Sequence, residues 1–148
     1  MVVLVVDVFS PGSVASLGRA MSQQLERYPK FGSLSIVERK VGSSIDAEGR
    51  KGVADLSTKY TNHISGTAVI CEGTGFRATA IRSIVTAVRM ASRASHPQKV
   101  FATAEEAIGW LATLPPGGIH IPSALQSVAL LRARLQERLT RSGVQSTR

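Results

Sequence analysis

A chain of 148 residues is the length of one domain, and a domain of that size buries enough apolar surface to fold without a disulfide or metal staple. Its single cysteine, Cys71, lies in an apolar run, which excludes a disulfide framework or a thiolate-rich metal site within the chain. The formal net charge of +8 favours acidic partners, but net charge governs attraction and solubility rather than a specific site.

No stretch reaches the ~20 consecutive apolar residues of a membrane-spanning helix. The run Val2–Val6 is broken at Asp7 and has no basic residue ahead of it, unlike a signal peptide, so a cytoplasmic protein is expected.

In chain order, residues 2–9 are apolar at almost every position, the pattern of a strand covered on both faces. Ser10-Pro11 reads as an N-cap followed by proline in the first helical turn. Val14, Leu17, Met21 and Leu25 then recur at helical spacing until Pro29 and Gly32 end the helix. Residues 34–37 form a second β-rich run, and the polar residues 39–50 have no clear period. Val53, Leu56 and Tyr60 predict a short helix to about His63. Residues 67–71 read as a third strand, stopped by Glu72-Gly73-Thr74-Gly75, after which Phe76, Ile81, Ile84, Val85 and Val88 share one helical face.

Residues 99–102 read as a fourth strand, and Thr103-Ala104-Glu105-Glu106 as a capping-box-like opening of a helix carrying Ala107, Ile108, Trp110 and Leu111. Trp110 is expected to be substantially buried where this helix packs. The order βαβαβαβα predicts an α/β fold: a four-stranded, mainly parallel sheet with helices packed on it. Pro115-Pro116-Gly117-Gly118 breaks the pattern. The expected division is therefore a sheet domain at 1–114, a Pro/Gly linker at 115–121, a C-terminal amphipathic helix at 122–142 and a flexible tail at 143–148. Leu125, Val128, Leu135 and Leu139 make an apolar stripe on that last helix. The stripe is expected to join copies of the chain rather than to complete the sheet domain.

Three segments carry a resemblance to a known family. They are the third strand running into Glu72-Gly73-Thr74-Gly75-Phe76-Arg77, the strand Lys99-Val100-Phe101-Ala102, and the helix Ala104-Glu105-Glu106-Ala107-Ile108-Gly109-Trp110-Leu111. A last strand ending near phenylalanine, then a helix of the form E-E-A-x-x-W-L, resembles the STAS-like superfamily. The similarity is to the branch related to bacterial anti-sigma-factor antagonists, which shares architecture with lipid-binding CRAL-TRIO domains. It covers roughly residues 2–113 and rests on packing motifs.

The resemblance implies a mixed sheet with helices on one side and a regulatory role exercised through protein contacts. In signalling members of the family a D-S-S-G turn opens a helix, and a partner kinase phosphorylates a serine in it. The most similar turn here places Thr74 at that position. It departs from the pattern, with no paired serines, glutamate in place of aspartate, and an extra helix before the strand. Ser43-Ser44 is an alternative candidate.

Gly73, Thr74 and Gly75, at a strand-to-helix junction, can offer backbone N–H groups to an anion, and Arg77 can add a charged donor. The turn lacks the lysine and hydroxyl of a Walker loop and is not a full dinucleotide fingerprint, so its glycines also suit a purely structural turn. Asp7 and Glu72 stand near strand ends, but nothing completes an acid–base pair, and solvated or capped carboxylates are expected. His63, His96 and His120 have no metal-ligand spacing and each adjoins turn residues, as surface histidines do.

No catalytic set, cofactor site or metal site is therefore expected. Arg82, Arg89 and Arg93 fall on one helix side, a face suited to an acidic protein surface. Nucleic acid fits less well, since aromatic residues are few and no recognition motif is legible. The expected function is a non-catalytic, self-associating regulatory or protein-interaction module. The alternative is a binding domain for a small anionic or lipidic ligand at the turn from Gly73 to Arg77.

Overall fold

Each β-rich run of the sequence forms a strand, and each strand is followed by a helix. The computed structural model describes residues 1–6, 11–37, 47–71, 76–92 and 94–145, some of them, including all of the first strand, by backbone alone. The elements are β1 (Val2–Val6), α1 (Pro11–Leu25), β2 (Phe31–Val37), α2 (Ala47–Lys59) and β3 (Ile64–Cys71). After these come α3 (Phe76–Ala91), β4 (Gln98–Phe101), α4 (Ala104–Ala112) and α5 (Ile121–Gln145). Pairing is parallel throughout the described strands, in the order β1-β2-β3-β4. A helix in every connection makes this possible, because parallel neighbours need a long crossover. The mixed sheet implied by the family resemblance does not appear among these pairs.

Successive strands step in one direction across the sheet, so right-handed crossovers put α1, α2 and α3 on the same face. There α1 packs on α2 and α2 on α3. Leu17 and Met21 of α1 meet Phe31, Tyr60 and Ile64 in one buried cluster. On β2, residues of opposite parity to Phe31 point the other way, and on β3 the register shift between Ile64 and Gly66 turns the even-numbered residues that follow to that same second face. Leu34, Ile36, Ala68 and Ile70 form a second cluster with Ala107, Ile108 and Leu111 of α4 and with Ala124 and Val128 of α5. Helices thus cover both faces, where the resemblance implies one.

Two glycines, of which Gly32 reads from sequence as a helix stop, are close-packing positions inside the sheet. Gly32 and Gly66 are register partners in β2 and β3, beneath α4. A Cβ on Gly32 would lie 3.3 Å from Leu111 Cδ2. One on Gly66 would strike Leu114 Cδ1 and sit 3.1 Å from Trp110 Cη2. Both strands therefore begin about three residues earlier than the β-branched runs indicate. Glycines also hold α1 and α2 together, since a Cβ on Gly52 would be 2.8 Å from Val14 Cγ1.

The opening of α4 follows the sequence reading: Thr103 caps it, its Oγ1 accepting the Glu106 N–H at 3.2 Å. Trp110 packs against the buried cluster as expected, over Gly66 of β3, and beside the edge strand β4 it keeps part of its ring exposed. Phe101 packs against it with centroids 5.5 Å apart, and Lys99 Nζ stands 5.3 Å over its face.

The Pro-Pro-Gly-Gly segment is a tight turn rather than a spacer. The Gly117 N–H donates to the Leu114 carbonyl at 2.9 Å. Gly117 and Gly118 hold φ of 78° and 84°, a region glycine enters at little cost. The turn returns the chain to the sheet, and α5 packs on α4 and β1. Ala124 and Val128 are 7% and 3% exposed, so the first half of α5 belongs to the core, contrary to its expected independence. The helix also continues to Gln145, into residues expected to be a tail. Among the described residues no helix is long and apolar enough to cross a membrane.

Two comparisons test this packing. Gly66→Ala should lower the unfolding free energy by roughly 1–3 kcal/mol through overpacking. Gly109→Ala, whose Cβ would meet nothing within 4 Å, should raise it by about 0.5–1 kcal/mol through helix propensity. On α5, Val128→Ala should cost roughly 1–3 kcal/mol, while Leu130→Ala at an exposed site should stay within about 0.5 kcal/mol. Urea titrations followed by circular dichroism measure all four. A Val128→Ala protein as stable as its parent would place α5 outside the core.

Candidate functional site

Asp7, Ser43, Ser44, Glu72, Gly73, Thr74, Gly75 and Arg93 lie outside the described residues. Arg77 is placed by its backbone in the first turn of α3. What can be built from described side chains is the outer face of α3, a histidine cluster at the amino end of β4, and a cleft at the amino end of the sheet.

On α3, Arg82, Ser83, Thr86, Arg89 and Met90 are all exposed, Met90 by 82%. Arg82 and Arg89 stand two turns apart, about 10 Å along the axis. Neither is ion-paired with a described residue, and the helix contains no acid. The Ser83 and Thr86 hydroxyls donate to the Thr79 and Arg82 carbonyls at 3.0 and 2.9 Å, so the helix itself satisfies them. The face that remains is cationic, with one large apolar side chain at its end.

His96 corrects a sequence expectation: it is 7% exposed, not a surface histidine. The Thr67 N–H donates to the Pro97 carbonyl at 2.9 Å, fastening the loop onto β3 and drawing the ring inward. There His96 Nε2 lies 3.1 Å from Thr67 Oγ1, and Nδ1 lies 3.5 Å from Thr61 Oγ1. Thr61 Oγ1 also accepts the Ser95 N–H at 3.0 Å. The ring thus pins the α3–β4 loop to β3 and to the turn after α2. His63 and His120 are exposed as expected, bonded to the Pro29 carbonyl at 3.0 Å and to Ser123 Oγ at 2.8 Å. Cys71 is buried, in line with its apolar setting.

The apolar stripe of α5 is divided. Val128 is buried and Leu125 packs against the same cluster, so both serve the chain's own core. Leu135 is half-buried, and Leu139 is placed on α5 by backbone alone. The outward side carries Leu130, 56% exposed, with Arg134, Arg138 and Arg141 exposed further along.

The sequence reading missed the amino end of the sheet. A cleft of about 450 Å³ opens there between the α1–β2 turn, the Pro-Pro-Gly-Gly turn and the start of α5. Its residues looked like punctuation: Tyr28 and Lys30 flank a proline, and Gly117 and Gly118 mark a break. The one available signal was that a helix begins directly after those glycines.

No family model matches the chain, and no curated protein or solved structure matches it. The fold by itself defines a class, an α/β domain with a parallel sheet and helices packed on it.

Burial lowers the His96 pKa below its ordinary value of 6.5. Proton uptake therefore favours the unfolded chain. The contribution of neutral His96 is complete above about 6.5 and is lost as the pH falls from there through the lower folded-state value. Thermal unfolding between mildly alkaline and acidic buffers should show this loss, and His96→Gln should flatten that part of the profile. An unchanged profile in the variant would assign the acid sensitivity to other groups.

Proposed function

We propose that the chain is a non-catalytic interaction module, similar to the STAS-like regulatory domains, that docks the outer face of α3 on an acidic protein surface. The supporting observation is that Arg82, Arg89 and the 82%-exposed Met90 share a helix devoid of acids. Two fixed cations steer and orient an acidic partner, and a flexible thioether fills whatever apolar gap lies between. The sheet β1-β2-β3-β4 is the rigid frame of this reading, and the setting is the bacterial cytoplasm.

Self-association belongs to the same proposal. It uses the outward side of α5 around Leu130, since Leu125 and Val128 are taken up by the core. Thr74 phosphorylation and an anion at the turn from Gly73 to Arg77 are secondary readings that rest on the sequence pattern.

Anisotropy with a labelled oligoglutamate peptide and a labelled oligonucleotide of equal charge tests the α3 surface. The peptide should bind in a salt-sensitive way, and Arg82→Glu with Arg89→Glu should weaken it about tenfold without lowering stability. Tighter binding of the oligonucleotide would replace the acidic protein with nucleic acid. Light scattering should show more than one subunit, and a monomer at every concentration would remove self-association.

A further inference from the structure

The cleft at the amino end of the sheet combines an apolar wall with unbalanced positive potential. Leu111, Leu114 and Ile119 supply the wall. Lys30 is the one formally charged side chain among the described residues that line it, so no carboxylate opposes an incoming anion. The 25-residue α5 opens at the same place with no acid in its first turn, where His120 caps it: Nδ1 accepts the Ser123 N–H at 3.4 Å and the carbonyl accepts the Ala124 N–H at 3.0 Å. The N–H groups of Gly118 and Ile119, just ahead of it, donate to no group among the described residues.

A second observation comes from the sheet. Pairing passes from Phe31↔Ile64 to Gly32↔Gly66, so Ser65 is an extra residue with no register partner. Ser65 is among the residues that line the cleft, and its Oγ is buried with no hydrogen-bond partner among the described residues. A buried hydroxyl in that state is unfavourable until something bonds it. The bulge sets this serine beside the start of β2, next in chain to Lys30.

We propose that this cleft binds a small amphiphilic monoanion, an apolar carboxylate. The head is held by Lys30, the Ser65 hydroxyl and the N–H groups of Gly118 and Ile119, and the apolar body lies along Leu111, Leu114 and Ile119. A volume of about 450 Å³ is in the range of small-molecule sites. The site is independent of the α3 surface and stands or falls without it.

Octanoate is the probe, titrated into the full chain and followed by amide chemical shifts, with 1-octanol as its uncharged counterpart. Octanoate should give saturable shifts at Lys30, Ser65, Gly118 and Ile119 and should bind more tightly than octanol. Lys30→Gln should weaken octanoate about threefold, the value of one exposed charge. Ser127→Trp, which fills the cleft from an exposed position on α5, should abolish binding.

Ser65→Ala should weaken octanoate without lowering the melting temperature of the ligand-free protein, whereas a purely structural serine would do the reverse. The proposal is overturned by shifts that never saturate, by shifts centred on α3, by equal affinity for octanol, or by undiminished binding in Ser127→Trp or Ser65→Ala.

Discussion

The close approach of α4 to the sheet at Gly32 and Gly66 is the constraint on which the other contacts depend. With no side chain at either position, Leu111, Leu114 and Trp110 settle directly over β2 and β3. That contact fixes where α4 ends, and so where the Pro-Pro-Gly-Gly turn begins. The turn in turn delivers Ala124 and Val128 of α5 into the buried cluster that holds Leu34 and Ile36. Adding a methyl group at Gly66 would push on the whole series, because close-packed interiors transmit displacement rather than absorb it.

The same contact governs the chemistry of the amino end. The cleft is the space left between the start of β2 and a helix that must emerge from a tight turn. Its walls are residues already used for packing, and its polar character comes from the backbone of the turn and from the bulge at Ser65. The α3 surface is built differently. It is a solvated face of a helix that packs on α2, β3 and β4, so its cations are set by helical period alone. Both places attract anions, at unequal range. Exposed arginines act over about a Debye length and weaken with salt. Donors inside a cleft with apolar walls are screened less.

His96 shows how loops are held where regular structure stops. Thr61, Thr67 and Ser95 come from three different parts of the chain and meet at or beside one imidazole. The arrangement satisfies polar groups that burial would otherwise penalise, and it requires the ring to stay neutral. A polar cluster of this kind fixes geometry and makes the fold sensitive to acid, with no need for a role in binding.

The alternation of apolar runs and helical periods determined the class of fold, because strands and helices have different side-chain spacings that survive in the sequence. It also determined the Thr103 cap of α4 and the cationic stripe of Arg82 and Arg89, since both are local patterns. Gly32 was misread as a helix stop, and Gly66 drew no reading. Gly32 and Gly66 have the composition of turns, and only the presence of α4 above them shows that they are sites of close approach. The Leu125–Val128 stripe was legible as apolar, but what covers an apolar stripe is a long-range matter. The turn at Gly117 and Gly118 directs it to the chain's own sheet. His96 and Ser65 were invisible for the same reason: burial and hydrogen-bond satisfaction depend on residues some 30 positions away or on a register shift between strands. Local spacing fixes which elements form, while the environment of a polar side chain is decided by how those elements pack.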